Sequence, residues 1–183
     1  MSSQPAPAPT IPARLTTVDF AAATGRSIEE VEAALETHAE SLAPDEMFGP
    51  DVSMEIAKTL GVEVNIEPRD VALETLYELE TRGEQEFEGI SGRAGKLVAG
   101  VLEHREDLDH EIESASDHWS VARMPVIDRS ILRLGLFELR HEKGIPTGVI
   151  VSEAVRLAGT YSTERSGSFV NGVLASLARS SRP

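Results

Sequence analysis

Apolar residues recur through most of the chain at spacings of three and four, the period of a helix that buries one stripe. Thr16 or Thr17 opens a short helix through Ala23, and Gly25 stops it. Ser27 followed three residues later by Glu30 is a capping box, after which Ile28, Val31, Ala34 and Leu35 form one stripe. Pro44, Gly49 and Pro50 predict a loop, Ser53 starts a third short helix with Ile56, Ala57 and Leu60, and Gly61 ends it. Residues 62–68 read as extended, because the residue before a proline disfavours helix. Pro68 suits a first helical turn, and Val71, Ala72, Leu76 and Leu79 carry that helix towards Gly83. Helices are then expected over 93–104 (Leu97, Val98, Val101, Leu102) and over 106–117 (Leu108, Ile112, Ala115). Residues 127–142 are apolar nearly all round, the mark of a buried central helix. Two more helices follow Gly144 and Pro146, over 150–161 and 167–179. β-branched runs such as 149–151 are short and isolated, so a sheet has little support. The expected class is all-α.

Composition changes this picture mainly by exclusion. Hydrophobic residues at 40% suffice for a core, and aromatics at 4% leave it to Leu, Val, Ile and Ala. Without cysteine there is no disulfide framework, no thiolate metal site and no cysteine nucleophile, which fits a reducing cytoplasm as the expected location. The opening MSSQPAPAPTIPA lacks a positive segment followed by an apolar one, so no signal peptide is expected. No apolar run approaches the roughly 20 residues of a membrane span. The expected organisation is a disordered Pro/Ala/Ser/Gln tail over 1–14, a small helical module over 15–62, a linker over 63–67, a main domain over 68–179 and a tail over 180–183.

Charge is uneven. The chain carries a net charge of -14, a balance that phosphate backbones repel. Residues 1–67 hold 3 basic and 12 acidic side chains and residues 68–119 hold 5 and 14, whereas residues 120–183 hold 9 and 5. RNA contact, if made, belongs to the C-terminal third.

Three chemistries fail on spacing. Residues 89–96 (GISGRAGK) place five residues between Gly89 and Gly95 where a phosphate-binding loop has four, and Leu97 replaces the magnesium-holding hydroxyl. Glu103, Glu106, Asp107, Asp109, Glu111 and Glu113, with His104 and His110, spread round a helix instead of converging, so they read as a solvated face and not a metal site. No nucleophile-elbow sequence accompanies the Ser, His and Asp residues. No cofactor, metal or catalytic residue is expected.

The C-terminal motifs carry a resemblance. Asp128-Arg129-Ser130-Ile131-Leu132-Arg133-Leu134, Phe137-Glu138-Leu139, Ile145-Pro146, Ser152 to Ala158, and Phe169-Val170-Asn171-Gly172-Val173-Leu174 occur in order. Upstream stand Ala72 to Glu78, Leu97 to Val101, and Leu108-Asp109. Over about 68–179, the series resembles the NusB family of transcription antitermination factors. The resemblance implies an all-α fold of two packed helical subdomains and no catalysed reaction. It also implies a heterodimer with NusE, a small-subunit ribosomal protein. That pair binds boxA RNA and helps the RNA polymerase antitermination complex pass terminators, chiefly in ribosomal RNA operons. Some relatives self-associate, so a homodimer is a further expectation. A NusB-like domain also fronts certain ribosomal RNA cytosine methyltransferases, a reading that needs catalytic cysteines, and this sequence has none.

Residue by residue, Phe169 lies beside Arg165 and the flexible Ser166-Gly167, where an aromatic face at a helix start stacks an unpaired base and the first amides attract phosphate. The competing role for Phe169 is a core anchor. Asn171 either hydrogen-bonds RNA or satisfies neighbouring backbone, and its residue type favours the second. Ser168 stands where the family often has lysine, and Arg165 where some members have an acid. Arg69 matches the last member of a family arginine stretch that holds RNA phosphates, but here Asn65, Ile66, Glu67 and Pro68 precede it. Fewer phosphate contacts mean weaker binding and a flatter salt dependence. Tyr77 matches a family position on the NusE-facing surface, with a half-buried tyrosine as the plain alternative.

Residues 15–62 fall outside those motifs. Ala21, Gly25 and Val31 have helix-turn-helix spacing, but Glu29, Glu30, Glu32 and Glu36 would repel DNA from the second helix. The segment is similar to the small N-terminal helical module of bacterial translation initiation factor two, and a solubilising extension is the plain alternative. A second function class follows: an interaction module whose acidic part docks a basic ribosomal or transcription partner without touching RNA.

Overall fold

The computed structural model describes residues 7–38, 45–116 and 119–180. Within these lie nine α-helices and two strands of two residues each, so the class is all-α. The chain forms two compact units, residues 1–70 and 71–183, each considered by itself below.

The first unit contains β1 (Thr10–Ile11), α1 (Thr17–Thr24), α2 (Ile28–Thr37), α3 (Pro50–Thr59) and β2 (Asn65–Ile66). Local chemistry sets the helix starts. The Thr16 side chain accepts from the Asp19 amide at 3.2 Å and its hydroxyl donates to the Asp19 carboxylate at 2.8 Å, while Ser27 and Glu30 form the expected reciprocal pair. Gly25 closes α1 at φ 70°, a left-handed conformation that other residues adopt at a cost. Arg26 then donates to the Leu60 carbonyl at 2.9 Å, tying this corner to the end of α3. Helix α3 starts at Pro50 and not at Ser53. The proline supplies the fixed φ of a first turn, and Ser53 donates back to the Gly49 carbonyl at 3.0 Å. Pro44 lies outside the described residues. Phe20, Val31, Leu35, Phe48 and Ile56 fill the core, with the two phenylalanine rings 5.9 Å apart.

The segment expected as a disordered tail needs correction over 7–14. Thr10–Ile11 pairs in parallel with Asn65–Ile66, the Asn65 amide donates to the Pro9 carbonyl at 2.8 Å, and Glu67 donates to Ile11 at 2.7 Å. Ile11 is 1% exposed and Ala13 is fully buried. Two apolar side chains in a proline-rich context suffice here because the extended 62–66 segment offers a ready edge. The expected linker is therefore one strand of this small pairing.

The second unit is built from α4 (Pro68–Arg82, which begins in the first unit), α5 (Gly92–Glu103), α6 (Arg105–Ala115), α7 (Val126–His141), α8 (Thr147–Tyr161) and α9 (Ser166–Ser180). Helix α7 packs against α5, α6, α8 and α9, as its all-round apolar pattern requires. Ile131, Leu132, Leu134 and Leu136 are at most 1% exposed. The valine-isoleucine run at 149–151 lies inside α8, where Ile150 is buried. Among the described residues no helix is long and apolar enough to cross a membrane.

Two glycines let α7 approach its neighbours, and they predict different costs. A Cβ on Gly100 would fall 2.1 Å from Cζ of Phe137, whose ring also stacks on His141 at 4.7 Å. A Cβ on Gly135 would crowd the end of Leu174, at 2.7 Å, and meet Ala154 Cβ only at an ordinary contact distance of 3.6 Å. Overpacking costs typically about 1–3 kcal/mol, against about 1 kcal/mol returned by alanine's helix propensity. Gly100→Ala is expected to lower the urea midpoint, because an aromatic ring cannot bend away. Gly135→Ala is expected to leave it nearly unchanged, because the leucine terminus swings. Equal midpoints for the two variants would contradict this packing.

Candidate nucleic-acid interface

The turn between α8 and α9 is pinned from below by a buried carboxylate. Asp128, 5% exposed in the first turn of α7, accepts from Ser162 Oγ at 2.5 Å and from Ser166 Oγ at 2.9 Å. Thr163 and Ser166 share a further hydroxyl contact at 2.8 Å. A buried charged acceptor with two donors fixes geometry more firmly than neutral pairs do. The first turn of α9 is thereby held in one orientation.

Four of the sequence candidates stand at or just before the start of α9. Arg165 is exposed, and Ser168 is exposed with its hydroxyl donating to the Arg165 carbonyl at 2.9 Å. Phe169 sits four residues beyond Arg165, half-buried against the core. Its two proposed roles therefore coincide: one part of the ring anchors the helix and the rest remains accessible. Asn171 is exposed, and among the described residues its side chain makes no hydrogen bond, so the backbone-satisfying role is corrected. The helix dipole makes this end of α9 attractive to anions.

One residue escaped the sequence reading. Trp119 is 58% exposed, and its ring lies 6.4 Å from that of Phe169, tilted by 51°. Its polar flanks, Asp117, His118 and Ser120, belong to no apolar stripe, and that mismatch was the available signal.

The remaining candidates stand elsewhere. Arg69 belongs to the first unit, is 8% exposed and pairs with Glu67 at 3.4 Å. Expected as a phosphate contact, it is instead an internal ion pair, because a carboxylate two residues upstream reaches it first. Tyr77 is 42% exposed on α4.

The positive C-terminal third also thins on inspection. Arg129 and Arg133 pair with Glu80, Arg133 also with Asp109, Arg140 with Glu111, and Arg156 with Glu153. Arg123, Lys143, Arg165 and Arg179 stay exposed. The acidic patch on α6 is corrected in the same way. Asp109 and Glu111 hold those arginines, and Glu113 accepts from Ser120 Oγ at 3.1 Å and from the Val121 amide at 2.9 Å. Half of what read as a solvated face is a set of ties between helices.

Comparison with known proteins gives this geometry its context. The sequence pattern of the NusB family matches residues 66–179. The transcription antitermination protein NusB of Arthrobacter sp. (strain FB24) is 41% identical over 120 residues, covering 60% of this chain and 88% of that protein. The solved structure of T. maritima NusB superposes with a TM-score of 0.58 at 32% identity, over 63% of this chain and 91% of that one. A structure of antitermination factors NusB and NusE in complex with double-stranded RNA gives a TM-score of 0.53 at 31% identity, over 62% and 94%. The matched span takes in the α7 and α9 motifs together with nearly all of the second unit, and the chain belongs to the NusB family.

Proposed function

We propose that this chain is a transcription antitermination factor that binds boxA RNA as a heterodimer with NusE, within the RNA polymerase antitermination complex of the cytoplasm. The observation that carries the reading is the gathering of Arg165, Ser168, Phe169 and Asn171 at or just before the start of α9. Support comes from a family relative solved with NusE and RNA. Arg165 and the N-terminal end of α9 face phosphate, Asn171 offers a donor and an acceptor, and the accessible part of Phe169 faces a base. Ser168 keeps only an acceptor, since its hydrogen is given to Arg165. Tyr77 belongs to the NusE-facing surface. Chemistry plays no part: the protein holds and orients the transcript, in support of ribosomal RNA operon transcription.

With Arg69 held by Glu67, phosphate contacts on this chain are few, so NusE supplies much of the electrostatic attraction. A gel-shift titration with NusE and boxA RNA at low salt tests the proposal. The wild type is expected to form a ternary complex. The double variant Arg165→Glu, Phe169→Ala is expected to weaken it at least about tenfold, since one base stack alone is worth about 1–3 kcal/mol. No complex from folded protein would remove the reading. Undiminished RNA affinity in the double variant would favour the second reading, in which the first unit, with Glu29, Glu30 and Glu36 exposed, docks a basic partner and RNA is untouched.

A further inference from the structure

We infer that Trp119 is the principal base-stacking residue of this surface, with Phe169 as its buttress, and that its ligand is an unpaired base of single-stranded RNA. The inference deepens the RNA-binding reading and rests on it. Stacking needs a ring with one free face and a firm back. Phe169 has the back but offers only part of a face, being half-buried against the core. Trp119 has the free face, at 58% exposure, and finds its back in Phe169 at 6.4 Å.

The main chain of Trp119 is also braced. Ser116 Oγ donates to the Trp119 carbonyl at 2.9 Å, and the Trp119 amide donates to the Ser116 carbonyl at 3.1 Å. On the other side, Glu113 holds Ser120 and the Val121 amide. A residue whose main chain is held on both flanks has less freedom left to lose when a ligand arrives. Charge selects the ligand class. Arg165, exposed four residues before Phe169, provides the backbone contact that accompanies stacking in single-strand binders, and Arg123 lies exposed in the turn that follows Trp119. A protein partner would need apolar surface around the indole. Its flanking residues in the chain are instead polar.

Trp119 is the sole tryptophan, so its emission reports this contact directly. The full chain, with NusE, is titrated with a dye-labelled boxA oligoribonucleotide while dye anisotropy and tryptophan emission are both recorded. Subtracting the Trp119→Phe complex removes any NusE signal. Expected are quenching of Trp119 in step with the anisotropy rise, near-wild-type affinity for Trp119→Phe, and a loss of about 5-fold to 150-fold for Trp119→Ala. Far-UV circular dichroism confirms that each variant is folded. Binding by anisotropy with unquenched Trp119 and an unweakened alanine variant overturns this inference and leaves the RNA-binding reading standing. Absence of any anisotropy rise in the wild type overturns both. Wild-type RNA affinity combined with weakened NusE affinity in Trp119→Ala would make the indole a protein contact and also overturn it.

Discussion

Arg133→Ala is expected to lower the unfolding free energy of the second unit by about 3–5 kcal/mol, the usual cost of stranding buried charges. The guanidinium, 7% exposed, donates to both oxygens of Asp109 at 2.6 and 2.9 Å and to Glu80 at 2.8 Å. Glu80 also meets Arg105 at 3.1 Å and Arg129 at 2.9 Å. Five charges from α4, α6 and α7 thus share one region. Burial by itself would lower the basicity of Arg133, but the bonds and charges of Asp109 and Glu80 together raise it above the ordinary value. It therefore stays charged, and removing it strands Asp109 entirely and leaves Glu80 with two partners. Arg133→Lys is expected to recover only part of the loss, since an ammonium cannot bridge both oxygens in the same plane. Urea unfolding followed at Trp119 reads the second unit alone, because the first contains no tryptophan. A loss below about 1 kcal/mol, the range of a surface pair, would mean the network is solvated and that α7 is held by apolar packing alone.

The same network explains what the sequence hid at the candidate site. Arg129, Arg133, Arg140 and Arg156 counted towards a positive C-terminal third, yet each has a carboxylate partner, three of them on α4 or α6. Linear charge counts cannot see such pairs, because 24 to 53 positions separate the partners on α7 from those on α4 and α6. Arg69 was hidden differently, by a neighbour two residues away whose claim depends on rotamers. What was legible was the α9 turn. Arg165, Ser168 and Phe169 are spaced at three and four, and helical geometry alone puts them together. Trp119 was not, since its distance from Phe169 arises from the packing of α9 over the segment after α6.

Helix content was read well for a simple reason: amphipathic stripes and caps are local, and α5, α6, α7 and α9 begin within one residue of the expected positions. Helix α8 begins three residues early, at Thr147, because Pro146 serves as its N-cap. Four polar residues interrupt the buried face of α7, namely Asp128, Ser130, Arg133 and Glu138. Three have charged or hydroxyl partners on other helices or turns, including Arg93 at 2.7 Å from Glu138, while the Ser130 hydroxyl has none among the described residues. Periodicity shows such positions as breaks in a stripe and says nothing of who answers them.

The N-terminal segment was illegible because strand pairing is non-local, and the expected result of testing it is correspondingly sharp. Ile11→Ala is expected to destabilise the first unit by about 2–5 kcal/mol, the range for truncating a fully buried isoleucine. Ile11 is 1% exposed among Leu15, Phe20, Val31 and Ile56, and its carbonyl takes the Glu67 amide at 2.7 Å. Thr10, next in the chain, points outward and exposed, so Thr10→Ala is the matched control, with a change within about 0.5 kcal/mol. Amide exchange separates the two: Asn65 and Glu67, which donate to Pro9 and Ile11, are expected to lose protection by about thirtyfold or more in Ile11→Ala only. A tail would respond equally to both changes. Equal protection in the two variants would therefore detach residues 7–14 from the unit, and its core would then have to close without Ile11.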